Sequence, residues 1–182
     1  KSYPFLAITR SEEWPAAKVV RGRRRKGDQY FGPYAHAYAI RNTLDLLLKT
    51  FPVRTCTTGK FKEHMQRGRP CLLADIEKCA APCVGAVGED EYGAHLDGLA
   101  RFLDGDGGEV TERLTREMLD ASESLEFEKA ARVRDRLADV EKALARQEVV
   151  SAAGEDFDLI AVHDAELESA VEILIVRKGR VI

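Results

Sequence analysis

The stretch CTTGKFKEHMQRGRPCLLADIEKCAAPC, residues 56–83, contains every cysteine of this 182-residue chain. The four cysteines are Cys56, Cys71, Cys79 and Cys83. Thiols concentrated in one segment indicate a shared role, which means a metal ion, an iron–sulfur cluster or disulfides. The segment has too few apolar residues to fold by burial alone, so we expect bound metal to supply part of its folding free energy.

The spacing of these cysteines, C-x14-C-x7-C-x3-C, narrows the choice of metal without settling it. Structural zinc sites usually contain a C-x2-C-type pair, because two ligands on one tight turn suit a tetrahedron, and that pair is absent here. Iron–sulfur clusters also use four thiolates, spread over a larger core. His64 lies between Cys56 and Cys71 and is a possible substitute for a thiolate, although an exposed loop histidine is the commoner case. The residues alone are consistent with an iron–sulfur cluster, a zinc ion or a segment without metal.

Charge divides the chain into a basic and an acidic half. Residues 1–84 contain 16 Lys or Arg and 7 Asp or Glu, a net charge of +9, whereas residues 85–182 contain 12 and 24, a net charge of −12. A basic half suits polyanions such as nucleic acid. No apolar run approaches the roughly 20 residues that cross a bilayer, and no signal peptide is recognisable. We therefore expect no membrane association, and a fragment of a longer cytoplasmic protein.

The basic run at residues 21–26 is a candidate contact for DNA phosphates, and the aromatic turn that follows it is a candidate for stacking on bases or sugars. Such binding is expected to be largely independent of sequence. The alternative is a solvated hairpin above a small aromatic core. The predicted DNA-contacting residues are Arg21, Arg23, Arg24, Arg25, Lys26, Tyr30, Phe31 and Tyr34.

Hydrophobic periodicity predicts an α+β chain built from small modules. An N-terminal β-hairpin and one helix precede the cysteine segment, for which little regular structure is expected, and a helix follows it. The chain ends in the first strands of a β-meander. The predicted strands and helices outside the cysteine segment are strands Tyr3–Thr9 and Ala17–Val20, helices Ala35–Lys49 and Glu89–Leu103, and strands Phe157–Val162 and Ala170–Val176, with a further turn at Gly179.

Two apolar stripes between residues 110 and 144 predict a helical hairpin. The first stripe has spacings of 4, 4, 3 and 4, and the second has spacings of 4, 3 and 4. Ser124, near the junction at residues 123–125, is a candidate cap for the second helix. The hairpin is either packed within its own chain or paired with a partner hairpin. The stripes consist of Val110, Leu114, Met118, Ala121 and Leu125, then Val133, Leu137, Val140 and Leu144.

Three stretches in this order resemble the UvrC family, the C subunits of the bacterial excinuclease of nucleotide excision repair. The first and second surround the basic run and the cysteines, and the third resembles the UVR motif. Together they extend over most of residues 1–146. They are Lys1-Ser-Tyr-Pro-Phe5 with Tyr30-Phe-Gly-Pro-Tyr34; Phe51-Pro-Val-Arg-Thr-Cys56 with Arg69-Pro-Cys71 and Lys78-Cys-Ala-Ala-Pro-Cys83-Val-Gly85; and Leu125-Glu-Phe-Glu-Lys-Ala-Ala-Arg-Val-Arg-Asp135.

The resemblance implies a [4Fe–4S] cluster bound by Cys56, Cys71, Cys79 and Cys83, with zinc as the alternative. It also implies docking of the hairpin onto the B subunit, UvrB, and contact with damaged DNA. The implied partner-binding residues are Leu125, Phe127, Glu128, Ala130, Ala131, Arg134 and Asp135.

The family cuts DNA on both sides of a lesion, using a GIY-YIG domain and an RNase H-like domain, and neither active site is recognisable in this chain. The resemblance divides the chain into four parts. The alternative to this assignment is a metal-stabilised adaptor with a UVR-type hairpin and no part in incision. The four parts are a basic connector following the GIY-YIG domain (1–54), a cysteine-rich module with a helix (55–108), the UVR hairpin (109–147) and the start of the region leading to the RNase H-like domain (155–182).

Overall fold

A computed structural model describes residues 4–32, 34, 37–145, 156–164, 169–177 and 180–181. The chain divides into two compact units, Lys1–Ala143 and Leu144–Ile182. The first contains strands and helices and the second contains strands, so the predicted α+β class is confirmed. Within the described ranges, no helix has the length and apolar character required to cross a bilayer.

The first unit begins with a three-stranded antiparallel sheet. Strands β1 (Pro4–Ile8), β2 (Ala17–Arg21) and β3 (Gln29–Phe31) lie in the order β2–β1–β3. The first two strands confirm the predicted hairpin. The third was expected as part of an aromatic turn, but Phe31 pairs with Leu6 and is buried with it. Burial of this ring explains why so short a segment forms a strand.

Six α-helices follow among the described residues, and the last of them begins in the first unit. The predicted helices Ala35–Lys49 and Glu89–Leu103 are present as α1 (Ala37–Leu47) and α4 (Glu89–Asp104), although Ala35 lies outside the described residues. Helix α1 packs on β1 and β2, and α4 packs on α5. The helices are α1 (Ala37–Leu47), α2 (Thr58–Arg67), α3 (Leu72–Asp75), α4 (Glu89–Asp104), α5 (Gly107–Glu123) and α6 (Phe127–Ala145).

The cysteine segment is more regular than expected, because it contains α2, α3 and a 3-10 turn at Pro82–Val84. Thr57 caps α2 by accepting a hydrogen bond from the Lys60 N–H, and Gly68 ends the helix in the left-handed conformation. Phe61 is the only buried residue of α2. A helix with one buried residue shows no apolar periodicity, so it is predictable only from its caps.

Helices α5 and α6 form the predicted hairpin. The Glu126 N–H donates to the Ala121 carbonyl and the Leu125 N–H to the Ser122 carbonyl, which is a Schellman motif with Leu125 in the left-handed conformation. The prediction for Ser124 is wrong, since Ser124 ends α5 and α6 begins only at Phe127.

The described residues of the second unit form a separate antiparallel sheet. Strands β4 (Phe157–Asp164), β5 (Ser169–Arg177) and β6 (Arg180–Val181) lie in that order. Leu159 opposes Leu174, and Val176 opposes Val181. These pairings confirm the two predicted meander strands, and the chain continues beyond Gly179 into the short strand β6.

Candidate functional site

The four cysteines line one small cavity in the first unit. Cys56 precedes α2, Cys71 is the residue before α3, Cys79 lies in the loop after α3, and Cys83 lies in the 3-10 turn. All four are partly buried, and none forms a disulfide. The fold therefore brings together four thiols that are up to 27 positions apart in the sequence.

Burial raises the pKa of two of these four thiols. It raises the pKa of the Cys79 thiol to about 11, and the neighbouring cysteines raise it further. Burial, with Cys56 and Cys71, also raises the pKa of Cys83. A metal that binds thiolates must therefore displace protons here.

Four thiols around one cavity match, in number and type, the ligands that a [4Fe–4S] cluster takes. His64 also lines the cavity, and its Nδ1 lies 3.0 Å from the Arg69 carbonyl oxygen. In the described part of the chain, no group of three or more His, Cys, Asp or Glu side chains is arranged to hold a metal ion.

Arg54 lines the same cavity and was not singled out by sequence reasoning. Its side chain is only 2% exposed, and its guanidinium lies over the Phe61 ring, with 4.6 Å between the guanidinium carbon and the ring centroid. Nε donates to the Trp14 carbonyl at 2.6 Å, and Nη2 pairs with Glu12. Nη1 is buried and has no hydrogen-bond partner among the described residues. The one sequence signal was an arginine two positions before the first cysteine.

Glu12 and Tyr92 hold Arg54 in place. Burial alone would raise the pKa of Glu12, but the hydrogen bond from Lys18 and the charges of Lys18 and Arg54 outweigh it, so the pKa lies below its usual range. The Tyr92 hydroxyl accepts from the Arg54 backbone N–H at 2.9 Å and donates to the Pro15 carbonyl at 2.7 Å. These contacts join the cysteine segment to the residues between β1 and β2.

The predicted DNA-contacting residues differ in accessibility. Residues 21–26, which run from the last residue of β2 into the loop before β3, are exposed, but the Arg24 guanidinium stacks on Phe5, 4.5 Å from the ring centroid. The Tyr30 hydroxyl accepts a hydrogen bond from the Arg25 backbone N–H. Phe31 is 3% exposed, so its ring is not available for stacking on a base in this conformation.

The α5–α6 hairpin is packed at one end and open at the other. Val133 and Val140 are buried, and α6 forms ion pairs from Asp139 to Lys49 and from Arg136 to Glu77. This part of the hairpin therefore packs within its own unit.

The turn end of the hairpin exposes two large apolar side chains, Leu125 at 72% and Phe127 at 64%. Among the other predicted partner-binding residues, Glu128 is exposed, Ala130 and Ala131 are half-buried, and Arg134 pairs with Asp135 at 2.8 Å. An open groove lies beside this end and is lined by charged side chains that include Arg113 and Arg116. Apolar side chains beside charged ones are typical of a protein-docking surface.

Comparison with known proteins identifies both halves of the first unit. Residues 3–102 match the family described as "UvrC/Cho excinuclease, middle domain", and residues 108–143 match the one described as "UvrB/uvrC motif". No solved structure matches the chain.

Relatives named "UvrABC system protein C" match the whole chain. Those of Salinispora tropica, Streptomyces avermitilis and Corynebacterium glutamicum are 55%, 52% and 49% identical over 181 residues. The alignment covers 100% of this chain in each case, and 27%, 27% and 26% of the relatives. The chain thus spans about a quarter of the length of these relatives.

Proposed function

This chain belongs to the UvrC family of excinuclease C subunits, and we propose that it forms the central region of such a subunit, which cuts DNA 3′ and 5′ of a lesion. The observation that carries this proposal is the match to both family motifs, in order, over residues 3–143. The central region would dock the B subunit, contact DNA and hold an iron–sulfur cluster, while the cutting chemistry lies in other parts of the subunit.

A chimera tests this proposal. The matching segment of the Salinispora tropica relative is replaced by this chain, and incision of lesion-containing DNA is measured with its A and B subunits. Cuts on both sides of the lesion are expected. A correctly folded chimera that docks the B subunit but makes neither cut would contradict the assignment.

We assign B-subunit docking to the turn end of the α5–α6 hairpin. Phe127 and Leu125 are exposed there, whereas Val133 and Val140, farther along α6, are already buried within the chain. Exposed aromatic side chains at the centre of an interface are frequent hot spots. Ala130 and Ala131, one turn further along α6, would allow close approach of a partner helix.

Phe127→Ala tests this docking surface. We expect the substitution to weaken binding of the B subunit by at least about 2 kcal/mol, roughly 30-fold, in calorimetry. Leu119→Ala is the matched control, because Leu119 is also exposed but belongs to the body of α5. Equal binding by the Phe127→Ala variant and the parent chain would refute the assignment.

We assign DNA contact to the exposed basic loop at residues 21–26. Its cations are available to phosphates, apart from Arg24, which is engaged on Phe5. Tyr30 and Tyr34 are the partly exposed aromatic residues beside it. Because phosphate contact releases counterions, the binding constant should fall steeply with salt.

The triple variant Arg23/Arg25/Lys26→Ala tests the DNA contact while leaving the Arg24 stack intact. In fluorescence anisotropy, the slope of log K against log salt is expected to become shallower by about 0.7–0.9 for each phosphate that the variant no longer neutralises. Arg113/Arg116/Arg132→Ala removes an equal exposed charge from the hairpin as a control. An unchanged slope in the first variant would exclude the basic loop.

We assign the [4Fe–4S] cluster to Cys56, Cys71, Cys79 and Cys83, which line one cavity. The bound cluster would cross-link four points of a segment that buries few side chains, and so would stabilise its fold. Iron, sulfide and zinc analysis with visible absorption, on protein purified without oxygen, decides the metal. About four irons and four sulfides per chain are expected for this cluster type, whereas colourless protein with one zinc would overturn the assignment.

A further inference from the structure

One nitrogen of the Arg54 guanidinium, at the edge of the cysteine cavity, lacks an acceptor among the described residues. Nε is satisfied by the Trp14 carbonyl and Nη2 by Glu12, but Nη1 is buried without a partner among the described residues. A buried unsatisfied donor costs about 1–3 kcal/mol, and more when the group is charged. Arg54 also lines the cavity itself, so an acceptor bound there would lie beside its side chain.

The charge of the cavity points to the nature of that acceptor. Four thiols that bind a cluster become thiolates, and their charge outweighs that of the iron–sulfide core. The cavity wall near them includes Phe61, Ala81 and Pro82, which provide no compensating charge. Among the described residues that line it, Arg54 is the one that carries a permanent positive charge. A negative group in such surroundings requires a compensating charge or hydrogen bonds.

The neighbours of Arg54 fix the direction of its side chain. Glu12 and the Trp14 carbonyl hold two of its nitrogens, while the ring of Phe61 lies against the guanidinium. Its backbone is fixed as well, because the Arg54 carbonyl accepts from the Ala17 N–H at 2.9 Å. Little further ordering is therefore needed when an acceptor binds in the cavity.

We propose that Arg54 is the electrostatic partner of the bound cluster, with Nη1 donating a hydrogen bond to a sulfur atom and the guanidinium offsetting the negative charge. This inference rests on the proposed iron–sulfur site. Glu12 and Trp14 are positioning residues that aim Arg54. Hydrogen bonds to sulfur and a nearby cation favour the more negative, reduced form, so Arg54 raises the reduction potential and slows loss of the cluster.

Arg54→Gln tests the proposal in the whole chain after reconstitution without oxygen. Spectroelectrochemical titration should give a more negative potential by at least about 59 mV, a tenfold change in the equilibrium constant of a one-electron reduction. Transfer of iron to a chelator should be about tenfold faster. Circular dichroism of the cluster-free protein reports whether the variant folds.

Arg54→Lys covers the case in which the neutral variant does not fold. Lysine retains a positive charge that can pair with Glu12, but it has no further nitrogen to donate into the cavity. We therefore expect the Arg54→Lys variant to fold and to show a shift in reduction potential smaller than that of Arg54→Gln. Lys78→Gln is the charge control, because Lys78 adjoins Cys79 in sequence yet pairs with Asp45 at 2.6 Å. We expect this variant to change the reduction equilibrium less than threefold.

The possible results distinguish the proposed role of Arg54 from the proposed cluster site. Parent protein that takes up no iron and sulfide overturns the proposed cluster site. Parent protein that holds the cluster, with an unchanged potential and chelation rate in the folded Arg54 variants, overturns the role of Arg54 alone. An equal shift in Lys78→Gln also overturns it, because the effect would then be that of any nearby cation.

Discussion

At the scale of single residues, Gly98 lies where α4 packs tightly against Phe51, in the segment that leads to the cysteines. A Cβ at this position would lie 2.6 Å from a carbon of the buried Phe51 ring, which itself lies 6.5 Å from the Phe102 ring between centroids. Gly98→Ala is therefore expected to lower the free energy of unfolding by about 1–3 kcal/mol, because it overpacks this core.

Gly93 is the matched control for this substitution, since it lies in the same helix and a Cβ there would meet nothing within 4 Å. Gly93→Ala should raise the free energy of unfolding by up to about 1 kcal/mol through helix propensity. Urea denaturation measures both. If both substitutions raised the free energy of unfolding, the Phe51 ring would have moved to accommodate the added Cβ, and the predicted overpacking at Gly98 would be wrong.

Glu12 makes part of the stability depend on pH. Its pKa is lowered in the folded protein, so its contribution is complete above about pH 5 and is lost as the pH falls through the folded pKa. Glu12→Gln leaves the buried Arg54 without its carboxylate, and should cost about 2–4 kcal/mol at pH 7. The unfolding free energy of the Glu12→Gln variant should then fall less than that of the parent chain between pH 5 and 3.

Glu13→Gln removes an adjacent exposed carboxylate, and it should change neither the unfolding free energy at pH 7 nor its decrease between pH 5 and 3 appreciably. The measurement is denaturation at a series of pH values. Parallel curves for Glu12→Gln and the parent chain would contradict the role of Glu12.

At the scale of elements, the turn between α5 and α6 combines strain with exposure. Leu125 adopts a φ of 61° where helices commonly have glycine, and its side chain is mostly exposed. Leu125→Gly should therefore stabilise the chain by about 0.5–1 kcal/mol, because glycine adopts this conformation freely. The same change should weaken B-subunit binding, since it removes an apolar contact from the proposed docking surface.

Thermal unfolding and calorimetric binding measure these two opposite effects. Gly68 has the same φ of 61° at the end of α2, and Gly68→Leu should destabilise the chain by a comparable amount. Unaltered binding by the Leu125→Gly variant would mean that the leucine is retained for another reason.

The elements also show how far sequence reasoning reaches. The stripes through Val110 and Val133 predicted the α5–α6 hairpin, because many buried residues repeat along each helix. The β3 strand was missed, since its three residues depend on pairing with β1 for their burial. The same limit applies to the candidate site. The cysteines were recognisable by type and clustering, whereas the role of Arg54 depends on Glu12 and Trp14, some 40 positions earlier.

At the scale of the whole molecule, the cysteine segment should depend on the proposed cluster for its stability more than the hairpin does. Phe61 is the only buried residue of α2, and α3 has none, whereas α5 and α6 bury several apolar side chains. Removing the proposed cluster by chelation, or by Cys79→Ser, should raise amide hydrogen exchange in residues 57–84 by about tenfold or more, because bound metal would supply folding free energy there. Amides in the middle of α5 and α6 should retain most of their protection, since apolar packing holds these helices.

Hydrogen exchange followed by mass spectrometry resolves the two regions, and chelator applied to Cys79→Ser controls for effects of the chelator itself. Equal loss of protection in both regions would show that the cluster stabilises the whole first unit, and no loss in either would remove its structural role.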